Sequence, residues 1–260
     1  MTSLVRSREY LAEHRRTIIG RSLAAAIAGA IPIPVVDEWL VASIRRGTIR
    51  RIAEARGVDI DDDAVRAIAD GPESPPKWSE LVGGGLAIRL LSRQWKKLLI
   101  VVLATKRAQA AGRNFEVATL FDHYCAREHV GMGLTHTSGK EVRALIDKAR
   151  SETQGGLNRQ LFRRGLVAAA KGSAKAPMNV ADLLTGGRIG KLLSGNSDEV
   201  EATTEVDEAL ETQLNSDSSF IARSAAAIEL QLAVDRNPYL DNLLDRFSEL
   251  AVKAREEDES

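Results

Sequence analysis

Residues 37–57 read DEWLVASIRRGTIRRIAEARG, and their periodicity decides the fold. Asp37 is placed to cap or charge a first helical turn. Val41, Ile44, Thr48, Ile52 and Ala55 then recur at three- and four-residue steps, which puts them on one face of a helix. Arg45, Arg46, Arg50 and Arg51 crowd the other faces. Gly57 is a natural stop, because glycine enters the left-handed conformation that ends a helix without a Cβ penalty.

Outward from this helix the same period continues in both directions. Upstream, Ser7 to Ile19 is a charged helix candidate, and Gly20 to Ala30 is a small-residue helix that permits close backbone approach. Pro32 and Pro34 end it near Ile31, because proline disfavours helical geometry in the residue before it. Downstream, the Asp59–Asp63 stretch starts a short helix through Ile68, and 71–76 is a loop. One long helix, or two broken at Gly83–Gly85, is expected from Trp78 to Ala111. Asn114 can cap the next, through Glu128. Ser138 and Glu141 have capping-box spacing, and Val142, Leu145, Ile146 and Ala149 follow on one stripe. A basic, Ala-rich segment spans 157–175, and a short helix is expected over 180–184.

The chemistry changes after Lys191. No basic residue appears before Arg223, while Asp198, Glu199, Glu201, Glu205, Asp207, Glu208, Glu211 and Asp217 do, so the stretch reads as an acidic linker or exposed helix. Two amphipathic helices follow. The first carries Ile221, Ala225, Ile228 and Leu232. The second carries Leu240, Leu243, Leu244, Phe247 and Leu250, with Pro238 in its first turn. No alternating strand pattern of useful length interrupts. The expectation is an all-α, irregular multi-helix bundle with a C-terminal pair of amphipathic helices. It divides into a helical core domain (1–190), the acidic linker or exposed helix (191–217) and a C-terminal helical hairpin (218–254).

Composition fits that frame. In 260 residues, 44% are hydrophobic but only 4% aromatic, so the core must be built from Ala, Leu, Ile and Val, which suit closely packed helices. Lys and Arg total 36 and Asp and Glu 36, so no global field draws the protein to nucleic acid. Cys125 is the single cysteine, which excludes an intrachain disulfide and is consistent with a reducing compartment. The first ten residues alternate charge with apolar side chains and lack the apolar stretch of a signal peptide, so export is not expected.

A membrane-spanning helix is not expected either. The uncharged run from Ser22 to Val36 falls short of the roughly 20 residues required and contains two prolines. The run from Leu98 to Thr105 is shorter and sits behind Arg89, Arg93, Lys96 and Lys97. The segment from Leu81 to Ala104, with those four cations and Trp95, has the composition of a helix lying in a membrane interface. The plainer alternative is a buried helix whose cationic stems reach the surface.

One stretch also resembles a known family. It carries Ala24-Ala25-Ala26-Ile27-Ala28, then Ile31-Pro32-Ile33-Pro34 and Asp37, then a helix ending Ile52-Ala53-Glu54-Ala55-Arg56-Gly57-Val58-Asp59. An apolar helix and a helix with Phe115 to Tyr124 follow. That order, over about residues 20–127, resembles the hydrophobic helical domain of YcjF-like proteins and, more loosely, of the EcsC family. The resemblance implies frequent membrane association and supplies no catalytic residues. The chain departs from the pattern where Arg89, Arg93, Lys96 and Lys97 cut the second hydrophobic half.

Candidate chemistry is sparse. Cys125 and His129 are four apart and would share a helical face as a metal pair does, with His123 and His136 nearby and Glu128 as a potential base. A helix end with a buried cysteine and exposed histidines is the simpler meaning. Gly133 to Lys140 has the wrong spacing for a phosphate loop, and Asp59 to Asp63 lacks the glycine and distal glutamate of a calcium loop. The expected function is therefore non-enzymatic, without a cofactor: a peripheral membrane-associated or scaffold protein, cytoplasmic and on the inner face of the membrane. Its expected contacts with lipid or an acidic partner are Arg45, Arg46, Arg50, Arg51, Arg89, Arg93, Trp95, Lys96 and Lys97, with a protein partner or self-association through the C-terminal helices. The alternatives are a metal-dependent enzyme using His123, Cys125 and His129, or a basic-helix nucleic-acid binder, which the scarcity of aromatics for base stacking argues against. The acidic segment, finally, is available to cover the basic helix and hold it inactive.

Overall fold

The computed structural model describes residues 8–29, 36–72, 108–131, 133–157, 160–164, 199–217, 219–234 and 237–258. Over these residues the chain is all-α. The elements are α1 (Glu9–Ala28), α2 (Val36–Ala55), α3 (Asp62–Asp70), α4 (Ala108–His123) running into a π turn (Tyr124–Glu128), α5 (His136–Glu152), α6 (Glu199–Asn215), α7 (Phe220–Val234) and α8 (Tyr239–Asp258). The described residues contain no strand. One isolated parallel bridge, Ile60 to Leu134, ties the loop before α3 to the loop before α5.

Local chemistry sets most boundaries. Asp61 caps α3, its carboxylate accepting from the Ala64 N–H at 2.6 Å. Gly57 closes α2 with φ +67°. Three boundaries depart from the sequence expectation. The two helices expected before the Pro-x-Pro turn are a single α1, because Gly20 lies within a continuous helix. Asn114 does not cap α4 but lies inside it, where its amide faces Arg45. α5 starts three residues early, with Thr135 as its cap and the Ser138 hydroxyl accepting from the Thr135 N–H at 2.8 Å, so Ser138 rather than Glu141 closes the box.

Packing around α1 builds the bundle. α1 lies against α2, α4 and α7, while α5 packs on α3 and α8. A larger apolar cluster includes Leu23, Ile52, Ile68, Phe115, Phe121, Ile146, Phe162 and Phe247. A smaller one holds Ala24, Ala28, Trp39, Leu40 and Ile44 together with Ala202, Val206 and Leu210 of α6. Each fully buried Leu, Ile or Phe contributes about 1.5–3 kcal/mol of transfer free energy.

α6 corrects the expectation of an acidic linker or exposed helix. Its carboxylates ride on one side, while Ala202, Val206 and Leu210 are buried on the other. The C-terminal helices are amphipathic as expected, but they do not form a separate hairpin. α7 packs chiefly on α1 and α6, and α8 chiefly on α5 and α4. Their apolar faces, including Ile221, Ala225, Ile228, Leu243, Leu244 and Phe247, are buried in the core, while Leu230 of α7 and Val252 of α8 stay exposed. The expected helices over 78–107 and 180–184, the Pro-x-Pro turn and the contact residues Arg89, Arg93, Trp95, Lys96 and Lys97 lie outside the described residues. No helix among the described residues is long and apolar enough to cross a membrane.

Candidate functional site

The histidine and cysteine candidates cluster where α4 ends, but not as a ligand set. The chain widens there into the π turn, and the His129 N–H donates to the Tyr124 carbonyl at 2.8 Å. His129 already has extended backbone geometry, so it does not share a helical face with Cys125. Burial pushes the Cys125 thiol up to about 12, which keeps it protonated and a poor ligand or nucleophile at neutral pH. His136 sits instead at the start of α5, its Nδ1 3.4 Å from the Asp63 carbonyl. Among the described residues no group of three or more His, Cys, Asp or Glu side chains is placed to hold a metal ion.

His123 belongs to a buried polar network that the sequence did not reveal. Its Nδ1 lies 2.6 Å from the Tyr10 hydroxyl and its Nε2 2.7 Å from the Ser248 hydroxyl. Burial, with Arg8 adding to it, lowers the imidazole to about 4, so it is neutral and exchanges one hydrogen bond on each side. Next to it Asp122 is fully buried. Its carboxylate accepts from Arg56 at 2.7 and 3.1 Å and lies 3.0 Å from His14 Nδ1. Arg56 also reaches the Tyr10 carbonyl, and Arg127 stacks over the Tyr10 ring at 4.6 Å. The network ties α1, α2, α4 and α8 together. Both ring nitrogens of His123 are occupied in that network, one by the Tyr10 hydroxyl and one by the Ser248 hydroxyl.

The four expected contact arginines of α2 are engaged within the chain. Arg45 Nε donates to Asn114 at 3.0 Å, and Arg46 pairs with Asp70 at 2.7 Å. Arg50 meets Asp62 at 2.7 Å, and Arg51 meets Asp207 and Glu211 of α6 at 3.5 and 3.4 Å. Arg46, Arg50 and Arg51 thus meet carboxylates of the chain itself, and Arg45 meets an amide. Arg50 and Arg51 remain nearly half exposed in these pairs, so their ion pairs are worth little.

A different set of cations converges on a cleft. Between α1, α2, α4 and α5 lies a cavity of about 160 Å³ whose lining, among the described residues, includes Arg21, Arg45, Arg113, Arg143 and Arg150 and no carboxylate. The counter-charges stand behind the guanidinium groups. Asp207 and Glu211 hold the terminal nitrogens of the fully buried Arg21 at 2.6 and 2.5 Å, Glu116 and Asp147 hold Arg150, and Asp147 holds Arg143. Arg113 is exposed and makes no ion pair among the described residues. Of these lining arginines only Arg45 was legible as a site residue. The others are spread over helices distant in the chain, and no spacing rule joins them.

Comparison with protein-family models, with curated proteins and with solved structures finds no match.

Proposed function

We propose that the chain is a non-enzymatic helical scaffold that docks peripherally on an anionic membrane surface, with the arginine-lined cleft as its contact. The carboxylate-free convergence of five arginines carries this reading. Fixed cations in a partly enclosed site attract anions more strongly than the same charges spread on a surface, because the walls exclude screening water. Two further observations support it. The cysteine and histidine that an enzyme would use are closed off in the core. The resemblance of residues 20–127 to membrane-associated helical domains points the same way, as does the cationic segment with Arg89, Arg93, Trp95, Lys96 and Lys97.

Flotation with liposomes tests the proposal. The protein is expected to float with vesicles containing anionic lipid, to stay behind with neutral ones, and to be released by raised salt. Exchanging Arg93, Lys96, Lys97 and Arg113 for Glu should abolish flotation. Failure to float under any condition would remove the membrane reading and leave a protein partner as the target of search.

A further inference from the structure

The cleft presents more than positive charge. Arg21 Nε, Ser22 Oγ and Asn114 Nδ2 are all buried without a hydrogen-bond partner among the described residues, and all three belong to side chains lining this one cavity. Arg21 and Ser22 are 1% and 2% exposed. Buried donors are satisfied in nearly every folded protein, and an unmade bond costs the full desolvation of the group. Three orphaned polar groups around one cavity therefore point to something that accepts from all of them.

The donors define that acceptor. The terminal nitrogens of Arg21 are committed to Asp207 and Glu211, so Nε–H is the group left for the cavity. Asn114 Oδ1 is committed to Arg45, so the amide can offer only N–H donors. Each therefore gives donors and no acceptor, and the serine hydroxyl adds a third donor. They come from α1 and α4, with guanidinium groups from α2 and α5 completing the ring. A planar carboxylate meets donors in one plane, whereas a tetrahedral oxyanion accepts from several sides. At about 30 Å³ per water, 160 Å³ is room for about five small atoms, which is the size of a phosphate.

We infer that the cleft binds the phosphate group of a phosphate ion or phosphomonoester, held by Arg21 Nε, Ser22 Oγ, Asn114 Nδ2 and the surrounding arginines. The inference rests on the reading of this cleft as the anionic contact and names its ligand chemistry. The group comes either from free phosphate or from a phosphomonoester lipid headgroup.

The test uses the full chain with inorganic phosphate as probe, in buffers matched to chloride in ionic strength. Phosphate near 100 times its Kd is expected to raise Tm by about 5 °C over chloride. Ser22→Ala should weaken phosphate binding by about tenfold while leaving the phosphate-free Tm unchanged or higher, because it removes a buried hydroxyl that has no partner. A purely structural serine would instead lower Tm without touching the phosphate shift. Arg113→Gln, at an exposed position, is the second variant and should also weaken binding, whereas Arg66→Gln, outside the cleft, should not. No phosphate-specific shift, or a shift undiminished in both cleft variants, overturns the site. Vesicles of phosphatidic acid in phosphatidylcholine separate the sources. Flotation competed by phosphate assigns the lipid headgroup. Stabilisation by phosphate without flotation supports the site on free phosphate and removes the membrane reading. Flotation without any phosphate effect overturns the site and keeps the membrane reading.

Discussion

His123 shows how burial converts a titratable residue into a structural one. With its imidazole lowered to about 4 from an ordinary 6.5, the unfolded chain binds a proton between those values that the folded chain does not. Stability from this group is therefore full above pH 6.5, is lost as pH falls from 6.5 to 4, and changes no further below. The loss is up to about 3 kcal/mol. Urea titrations at pH 7 and pH 4.5 should show a steeper decline for the natural protein than for His123→Gln, and equal slopes would refute the assignment. Asp122 beside it is a harder constraint. Replacing it with Ala strands Arg56 in a largely buried setting, and a loss of about 3–5 kcal/mol is expected by denaturant unfolding. Neither role was legible from sequence, because Tyr10, His14, Arg56 and Ser248 lie far from residue 122 along the chain. The sequence did expose the His123, Cys125 and His129 spacing, but the π turn broke the 3.6-residue geometry on which that spacing relied.

At the scale of the element, α6 is the decisive surprise. A charge run normally marks a solvated segment, yet Ala202, Val206 and Leu210 recur at four-residue steps within it and bury the helix. Two glycines seat it. A Cβ on Gly20 would fall 2.2 Å from Leu214 Cδ2, and one on Gly47 would fall 2.7 Å from Asp207 Oδ1. Gly47→Ala should therefore turn the Asp207 carboxylate away from Arg21 and loosen the α6 contact, read as faster amide exchange confined first to residues 199–215. Unchanged exchange there would mean the helix docks without this close approach. The acidic segment does reach the basic helix, through Arg51, but it also supplies core and neutralises Arg21. Deleting it would thus unfold structure as well as unmask charge. Point changes at Glu211 isolate the electrostatic part, and Glu211→Gln should raise retention on anionic vesicles if α6 masks the cations.

For the whole molecule, α1 and α2 contribute to both apolar clusters, so the clusters should not melt separately. Trp39 reports on the smaller cluster and Cys125 on the larger. In a chain carrying Trp78→Phe and Trp95→Phe, Trp39 fluorescence and thiol labelling of Cys125 should give one coincident urea transition. Two separated midpoints would instead divide the bundle into independently folding parts. The same crossing of helices creates the cleft, since its arginines come from α1, α2, α4 and α5 and meet only when all four are packed.

The sequence by itself determined the all-α class, the stop at Gly57, the helix beginning near Asp61 and the amphipathic character of α7 and α8. Those features depend on residues within a turn or two of one another, and local periodicity and capping chemistry report them directly. Only the tertiary structure decided that the α2 arginines are paired within the chain, that the acidic stretch is part of the core, and that Arg21, Ser22 and Asn114 line one cavity. Each of those outcomes depends on which helix faces which. Apolar periodicity says that a face will be buried, but it does not name the partner that buries it.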